Sequence, residues 1–113
     1  MANIFNPPSS SDQEVFEPLL LGKNILIERI VSTGQITPLG EWYDQHLDEW
    51  VMVLQGEATL TYADGTSIQL RAGDYVFLPA HTKHRVEYTS VTPKCIWLAV
   101  HGDFQAILQG TGR

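Results

Sequence analysis

Turn signals recur along this chain every 8–12 residues, and the stretches between them read as short strands. "NILIERIVS", residues 24–32, is rich in β-branched residues. "TGQITPLGEWYDQ" holds Gly34, Pro38 and Gly40 and predicts bent backbone. "EWVMVLQ" is a short apolar strand that stops at Gly56. "EATLTYA" and "TSIQLR" flank Asp64-Gly65, a strong short signal for a hairpin. "AGDYVFLP" turns at Gly73-Asp74 and stops at Pro79, and "HRVEYTS" and "KCIWLAVHG" follow. Seven or eight short strands with this rhythm predict an all-β sandwich or barrel, mostly antiparallel. "SSSDQEVFEPLL" has capping-box spacing at Ser11 and Glu14 and predicts one helical turn. "DFQAILQ" predicts another at the end of the chain.

Strand alternation assigns faces. Ala58, Leu60 and Tyr62 share one face, and Glu57, Thr59 and Thr61 the other. His84, Val86 and Tyr88 share a face, leaving Arg85, Glu87 and Thr89 for solvent. Glu49, Val51 and Val53 lie opposite Trp50, Met52 and Leu54, so this strand is apolar on both sides. Glu49 and His84 thus open strands whose following residues look buried. A buried carboxylate or imidazole without a partner is costly, so each calls for a hydrogen bond or a metal.

Charge narrows the partners. Thirteen Asp and Glu face seven Lys and Arg, a formal net charge of −6, and the basic residues are scattered. Nucleic acid needs a basic stripe and an anionic membrane a basic patch, so neither partner is expected. The N-terminus has neither a positive region nor an apolar core of signal-peptide type, and no apolar run reaches ~18–20 residues. With the single Cys95 no intramolecular disulfide forms, so the expected compartment is the cytoplasm. Cys95 has no neighbouring His or Asp and reads as a packing residue, and His101 reads as a surface residue of the last strand.

Residues 37–101 resemble the cupin superfamily of small β-barrels. That family carries two motifs, G-x5-H-x-H-x3,4-E-x6-G and G-x5-P-x-G-x2-H-x3-N. The second fits Gly73, Pro79 and His84, with His81 in its glycine slot and Tyr88 in its asparagine slot. Of the first, Glu49 and Gly56 match, while Tyr43 and Gln45 stand in the two histidine slots. His46 lies one residue off register. The resemblance implies a double-stranded β-helix, or jelly-roll barrel, over residues 23–113. An N-terminal arm, residues 1–22, would then reach across a second subunit of a homodimer.

The resemblance also implies a divalent metal (Fe, Zn, Ni or Mn) inside the barrel. Glu49 and His84 would ligate it, completed by the amide oxygen of Gln45 or by His46 re-aimed through a bulge. Tyr43, Tyr62, His81, Tyr88 and Trp97 would form the pocket for a small-molecule ligand. Two functions stay open. One is a metal-dependent enzyme acting on a small acid or aromatic, its catalytic residues not assigned. The other is a non-catalytic binding module whose ligand slots have been remodelled. There is no G-x-S-x-G, Walker loop, H-E-x-x-H or C-x-x-C to suggest other chemistries.

Overall fold

The computed structural model describes residues 1–7 and 12–104. Its described residues form eight strands: β1 (Val15–Gly22), β2 (Ile25–Ser32), β3 (Asp48–Gln55), β4 (Glu57–Tyr62), β5 (Ser67–Arg71), β6 (Tyr75–Leu78), β7 (His84–Thr89) and β8 (Cys95–Gly102). They build a five-stranded sheet in the order β1-β2-β8-β3-β6 and a three-stranded sheet in the order β5-β4-β7. Every strand pair is antiparallel. The all-β jelly-roll expectation holds. Among the described residues no helix is long and apolar enough to cross a membrane.

The two sheets bury one shared apolar layer. Ile30, Val51, Val53, Trp97 and Ala99 come from the larger sheet, and Ala58, Leu60 and Leu70 from the smaller. Cross-strand pairs explain the inward set: Glu49 lies opposite His101, Val51 opposite Ala99 and Val53 opposite Trp97. Paired residues share a face, so one register choice turns all six toward the interior. The other side of β3 is less covered than its apolar pattern predicted. Trp50, Met52 and Leu54 are half-buried, and Trp50 rests against exposed Tyr75 with ring centroids 5.4 Å apart.

Three local features differ from the sequence reading. Residues 15–22, placed in the N-terminal arm, form strand β1 at the edge of the barrel's own sheet. Pro18 is tolerated there because the register of β1 against β2 shifts between Pro18 and Leu20, on an edge where a missing N–H costs no ladder bond. The second difference is that the predicted helical turn does not form: residues 12–14 are non-helical and Val15 already begins β1, while Ser11 and most of "DFQAILQ" lie outside the described residues. Arg29 on β2 holds Glu17 and donates to the carbonyls of Asn3 (3.0 Å) and Ile4 (3.1 Å), tying the N-terminal residues to the same chain.

The third difference is a bulge in β7. Thr59 pairs with Tyr88 and Leu60 with Val86, so Glu87 is the extra residue. Alternation reverses beyond it: Tyr88 is 48% exposed and Thr89 is buried. Arg85, expected in solvent, is buried under the segment before β3. Its guanidinium donates to the carbonyl of Thr37 (2.8 Å) and lies 5.9 Å from the Trp42 ring centroid. That segment runs beside the free edge of β7. Thr37 N–H donates to Val86 O (2.9 Å), and Tyr43 and His84 form a two-way backbone bridge (2.8 and 3.2 Å).

Gly56 joins β3 to β4 at φ +82°, and a Cβ there would lie 2.4 Å from Ser90 Oγ and 3.0 Å from the backbone at Lys94 and Cys95. Gly65, in the β4–β5 hairpin, has φ +91° and nothing within 4 Å. Left-handed backbone alone costs a non-glycine residue about 1–2 kcal/mol. Gly65→Ala should therefore lose about that much stability, and Gly56→Ala clearly more, because the clash adds to the strain. Urea unfolding of the two variants measures the difference, and equal losses would show that the Gly56 contact relaxes freely.

Candidate functional site

Polar side chains from both sheets converge on one cavity in the barrel. Glu28 comes from β2, Glu49 from β3, His84 from β7 and His101 from β8, while Tyr43 and Gln45 reach in from the segment before β3. Glu14, just ahead of β1, closes one side, and Ile30, Val51, Leu60, Val86 and Trp97 form the apolar wall. The backbone bridge to His84 sets Tyr43 in place, and its ring stacks on the imidazole at 5.4 Å. His81 N–H donates to Gln45 O (2.8 Å), which anchors Gln45 one step further along.

Glu49 is 6% exposed, and no hydrogen bond to its carboxylate forms among the described residues. One oxygen lies 4.0 Å from His84 Nε2 and the other 3.9 Å from His101 Nε2, both too long for hydrogen bonds. Burial pushes the Glu49 carboxyl above the usual range, the His101 charge opposes that, and Glu28 adds to it.

The two imidazoles differ. His84 Nδ1–H donates to Thr82 O (2.8 Å), which leaves the lone pair of Nε2 toward Glu49. Burial lowers its pKa and favours the neutral ring. His101 Nε2 binds Glu28 Oε1 at 2.9 Å, and this bond raises its pKa, with Glu49 adding to the rise. One imidazole whose pKa is lowered and one whose pKa is raised thus flank a single buried carboxyl.

Among the candidates read from the sequence, the structure brings Tyr43, Gln45, Glu49, His84 and Trp97 onto the cavity and leaves four outside. His46 is exposed and lines a separate groove with Asp48 and Ala80. Asp48 accepts from the N–H groups of Ala80 (2.8 Å) and Phe104 (2.9 Å), which pins this stretch with His46 outward. His81 adopts φ 63° in the glycine slot and holds Asp44 at 2.8 Å on the surface. Tyr62 packs at the edge of the core and lines a surface groove with Thr82 and Lys83. Tyr88 is turned out by the bulge at Glu87.

Three cavity carboxyl or imidazole groups escaped the sequence reading. His101, expected on the surface, shares the inward face of β8 with Trp97 and Ala99, and that alternation was the signal available. Glu28 alternates with Leu26 and Ile30 in the same way, whereas Glu14 precedes any strand and carried no signal. Cys95 is buried, and burial pushes its thiol up to about 12, which fits packing rather than nucleophilic chemistry.

The expected metal finds an incomplete donor set. Among the described residues no three His, Cys, Asp or Glu side chains are placed to hold a metal ion. His101 turns its Nε2 to Glu28 at 2.9 Å, so that nitrogen is already engaged. Tyr43 and Gln45 occupy the slots where the family motif has histidines. Of the motif's ligand slots only those of Glu49 and His84 hold the family's residue types, two where a resident ion takes three or more.

Two facing antiparallel sheets around an internal polar cavity define a small cupin-type barrel. The family model for the cupin domain matches residues 30–101, and the chain belongs to this family. Among curated proteins none matches. It is similar to a crystal structure from Ralstonia eutropha JMP134 of a protein provisionally named a mannose-6-phosphate isomerase. Identity is 43%, the match covers 92% of this chain and 98% of that one, and the TM-score is 0.85. A cupin superfamily protein from Desulfitobacterium hafniense DCB-2 is 20% identical over 89% of this chain and 87% of its own, with a TM-score of 0.74. A cupin with a double-stranded β-helix fold from Methanocaldococcus jannaschii is 19% identical over 87% of each chain, with a TM-score of 0.69.

The imidazoles give a direct check. Following the Cε1 protons by NMR, His101 should titrate above 6.5 and His84 below it. Glu28→Gln should move His101 down and leave His84 nearly unchanged. The signs carry over to stability. The His101–Glu28 bond contributes fully below the unfolded histidine pKa of ~6.5 and fades as pH rises through the raised folded value. His84, buried neutral, costs stability as pH falls below 6.5 toward its depressed folded value.

Proposed function

We propose that this cupin binds a small polar molecule in its barrel and transfers protons on it, as an isomerase or lyase does. One observation carries the reading: Glu49, nine-tenths buried and with no hydrogen-bond donor among the described residues, sits between two imidazoles whose pKa values are pushed in opposite directions. Environments that separate the pKa values of neighbouring groups assign acid and base. Glu49 accepts a proton from the substrate. His101, whose pKa the Glu28 hydrogen bond raises, returns one. His84 presents the Nε2 lone pair to a substrate N–H or O–H, and the Tyr43 ring keeps it in plane.

Cavity size limits the substrate. The cavity volume is about 60 Å³, which suits a small molecule. The Ralstonia protein's provisional name describes an isomerase, a reaction that also needs a base and an acid. A divalent metal remains the second reading, favoured by the tautomer of His84, which leaves Nε2 as a metal-binding histidine would.

Deuterium exchange tests the proton transfer without knowledge of the product. A panel of small amino, hydroxy and carbonyl compounds is incubated with the protein in D2O and followed by proton NMR. At least one compound should exchange a C–H, and Glu49→Gln should slow it by about 10²–10⁴-fold, the usual worth of a general base. A compound that binds in the cavity yet never exchanges would favour the non-catalytic module. Elemental analysis separates the metal reading: purified protein should carry far less than one equivalent of Fe, Zn, Ni or Mn. A full equivalent that disappears in Glu49→Ala and His84→Ala would establish the metal-dependent enzyme instead.

A homodimer belongs to the same reading. Among the described residues strand β1 ends its sheet with an unpaired edge, and Leu19, Leu20 and Leu21 are 42%, 63% and 76% exposed. An apolar strand edge invites pairing, and a two-fold copy of itself satisfies both edges at once. In light scattering the protein should run at twice its 12.7 kDa chain mass. The double variant Leu20→Glu, Leu21→Glu should run at the single mass, and an unchanged dimer would move the interface elsewhere.

A further inference from the structure

The charged groups that reach into the cavity are mostly hydrogen-bond acceptors, beside the neutral Tyr43 hydroxyl and Gln45 amide. Glu14, Glu28 and Glu49 are carboxylates, and His84 offers the lone pair of Nε2. Among the described residues the cavity lining contains no lysine or arginine. The imidazole most readily protonated, His101, pairs with Glu28 at 2.9 Å, so its charge is matched there. Glu14 and Glu49 are left without a counter-charge. Among the described residues Glu14 accepts only from the hydroxyl of Ser32, and Glu49 accepts from none although it is 6% exposed.

We propose that the barrel is specific for a small cationic ligand, a protonated primary amine, whose ammonium group sits between Glu49, Glu14 and the Nε2 of His84. This assignment rests on the cavity being the ligand site, as in the function proposed above, and adds the charge class of the ligand. An ammonium has three N–H donors and no acceptor, which complements acceptors that no donor of the protein satisfies. The Tyr43 ring, stacked on His84, and the Trp97 ring line the same cavity and offer π faces to a cation. A carboxylate or phosphate would instead bring a third uncompensated negative charge into a low-dielectric interior.

The titration behaviour agrees with this arrangement. Burial raises the carboxyl pKa of both Glu14 and Glu49. The phenol of Tyr43 is raised by burial and then by the negative field of Glu14, Glu49 and Glu28. A cation in the cavity relieves all three.

Propylammonium, propionate and propionamide are close in size and differ in charge. Each has about four or five non-hydrogen atoms and suits the interior volume. Titrating each into the 15N-labelled protein at neutral pH, with the indole N–H of Trp97 as reporter, gives the three affinities. Propylammonium should bind about tenfold or more tightly than the other two, the worth of one charge-assisted hydrogen bond. Glu49→Gln should remove most of that preference. Glu14→Gln, at a half-buried position, should reduce it several-fold and serves if the Glu49 variant misfolds. If propionate or propionamide binds as tightly as propylammonium, the charge preference is overturned and the cavity stands as a ligand site. If none of the three perturbs Trp97, this assignment and the cavity reading both fall. If propylammonium binds while no compound exchanges deuterium, the cation site stands and only the catalysis is lost.

Discussion

The register of β3 against β8 decides what this barrel can do. It places Glu49 opposite His101 at one end of the pair, with Val51 opposite Ala99 and Val53 opposite Trp97 behind them. The three apolar positions and Trp97 bury the inner face, and that burial holds the strands in this alignment. A slip of one residue would turn Trp50 and Met52 inward and expel Glu49. The carboxylate is therefore kept in the interior by the packing of its neighbours, against its own preference for water. A buried acid with no donor is a local cost to stability, and such costs cluster where a protein acts on a ligand.

The surrounding groups divide that cost unequally. Glu28 and His101 form a close pair that balances its own charge, so it reads as the settled part of the site. His84 is settled in a different way, with Nδ1 donating to Thr82 and its ring stacked under Tyr43. Glu49 is the member left over. Both of its imidazole neighbours stand about 4 Å away, close enough to feel its charge and too far to neutralise it by hydrogen bonding. The chemistry proposed for this cupin follows from that gap: something small, bearing N–H or O–H, fits where the protein supplies no donor.

Much of this arrangement was legible from residue order. Asp64-Gly65 and Gly73-Asp74 mark turns where the chain does turn, and the alternation in β3 puts Glu49 on the buried face with Val51 and Val53. The motif register that places Tyr43 and Gln45 in the histidine slots also matches where they lie, on the cavity, with conspicuous His46 outside it. His101 escaped because its burial comes from β2 and β3 on either side, strands distant in sequence. Tyr88 was misplaced because the extra residue Glu87 carries no local mark. The bulge arises from how β7 meets β4, and one inserted residue reverses every face beyond it.

The amino-acid order by itself determined the strand rhythm, the inward faces of β3 and β4, and a carboxylate and an imidazole at the starts of buried strands. These are local properties: turn residues act on their own backbone, and a period of two follows from the pleat. Only the tertiary structure decided which polar groups meet. It brought Glu28 from β2 and His101 from β8 to Glu49, made Arg85 an interior residue beneath Thr37 and Trp42, and turned the presumed arm at residues 15–22 into an edge strand. It also decided which polar atoms are already engaged. Glu28 engages Nε2 of His101, and this long-range hydrogen bond, invisible in any single strand, leaves a buried carboxylate facing the cavity.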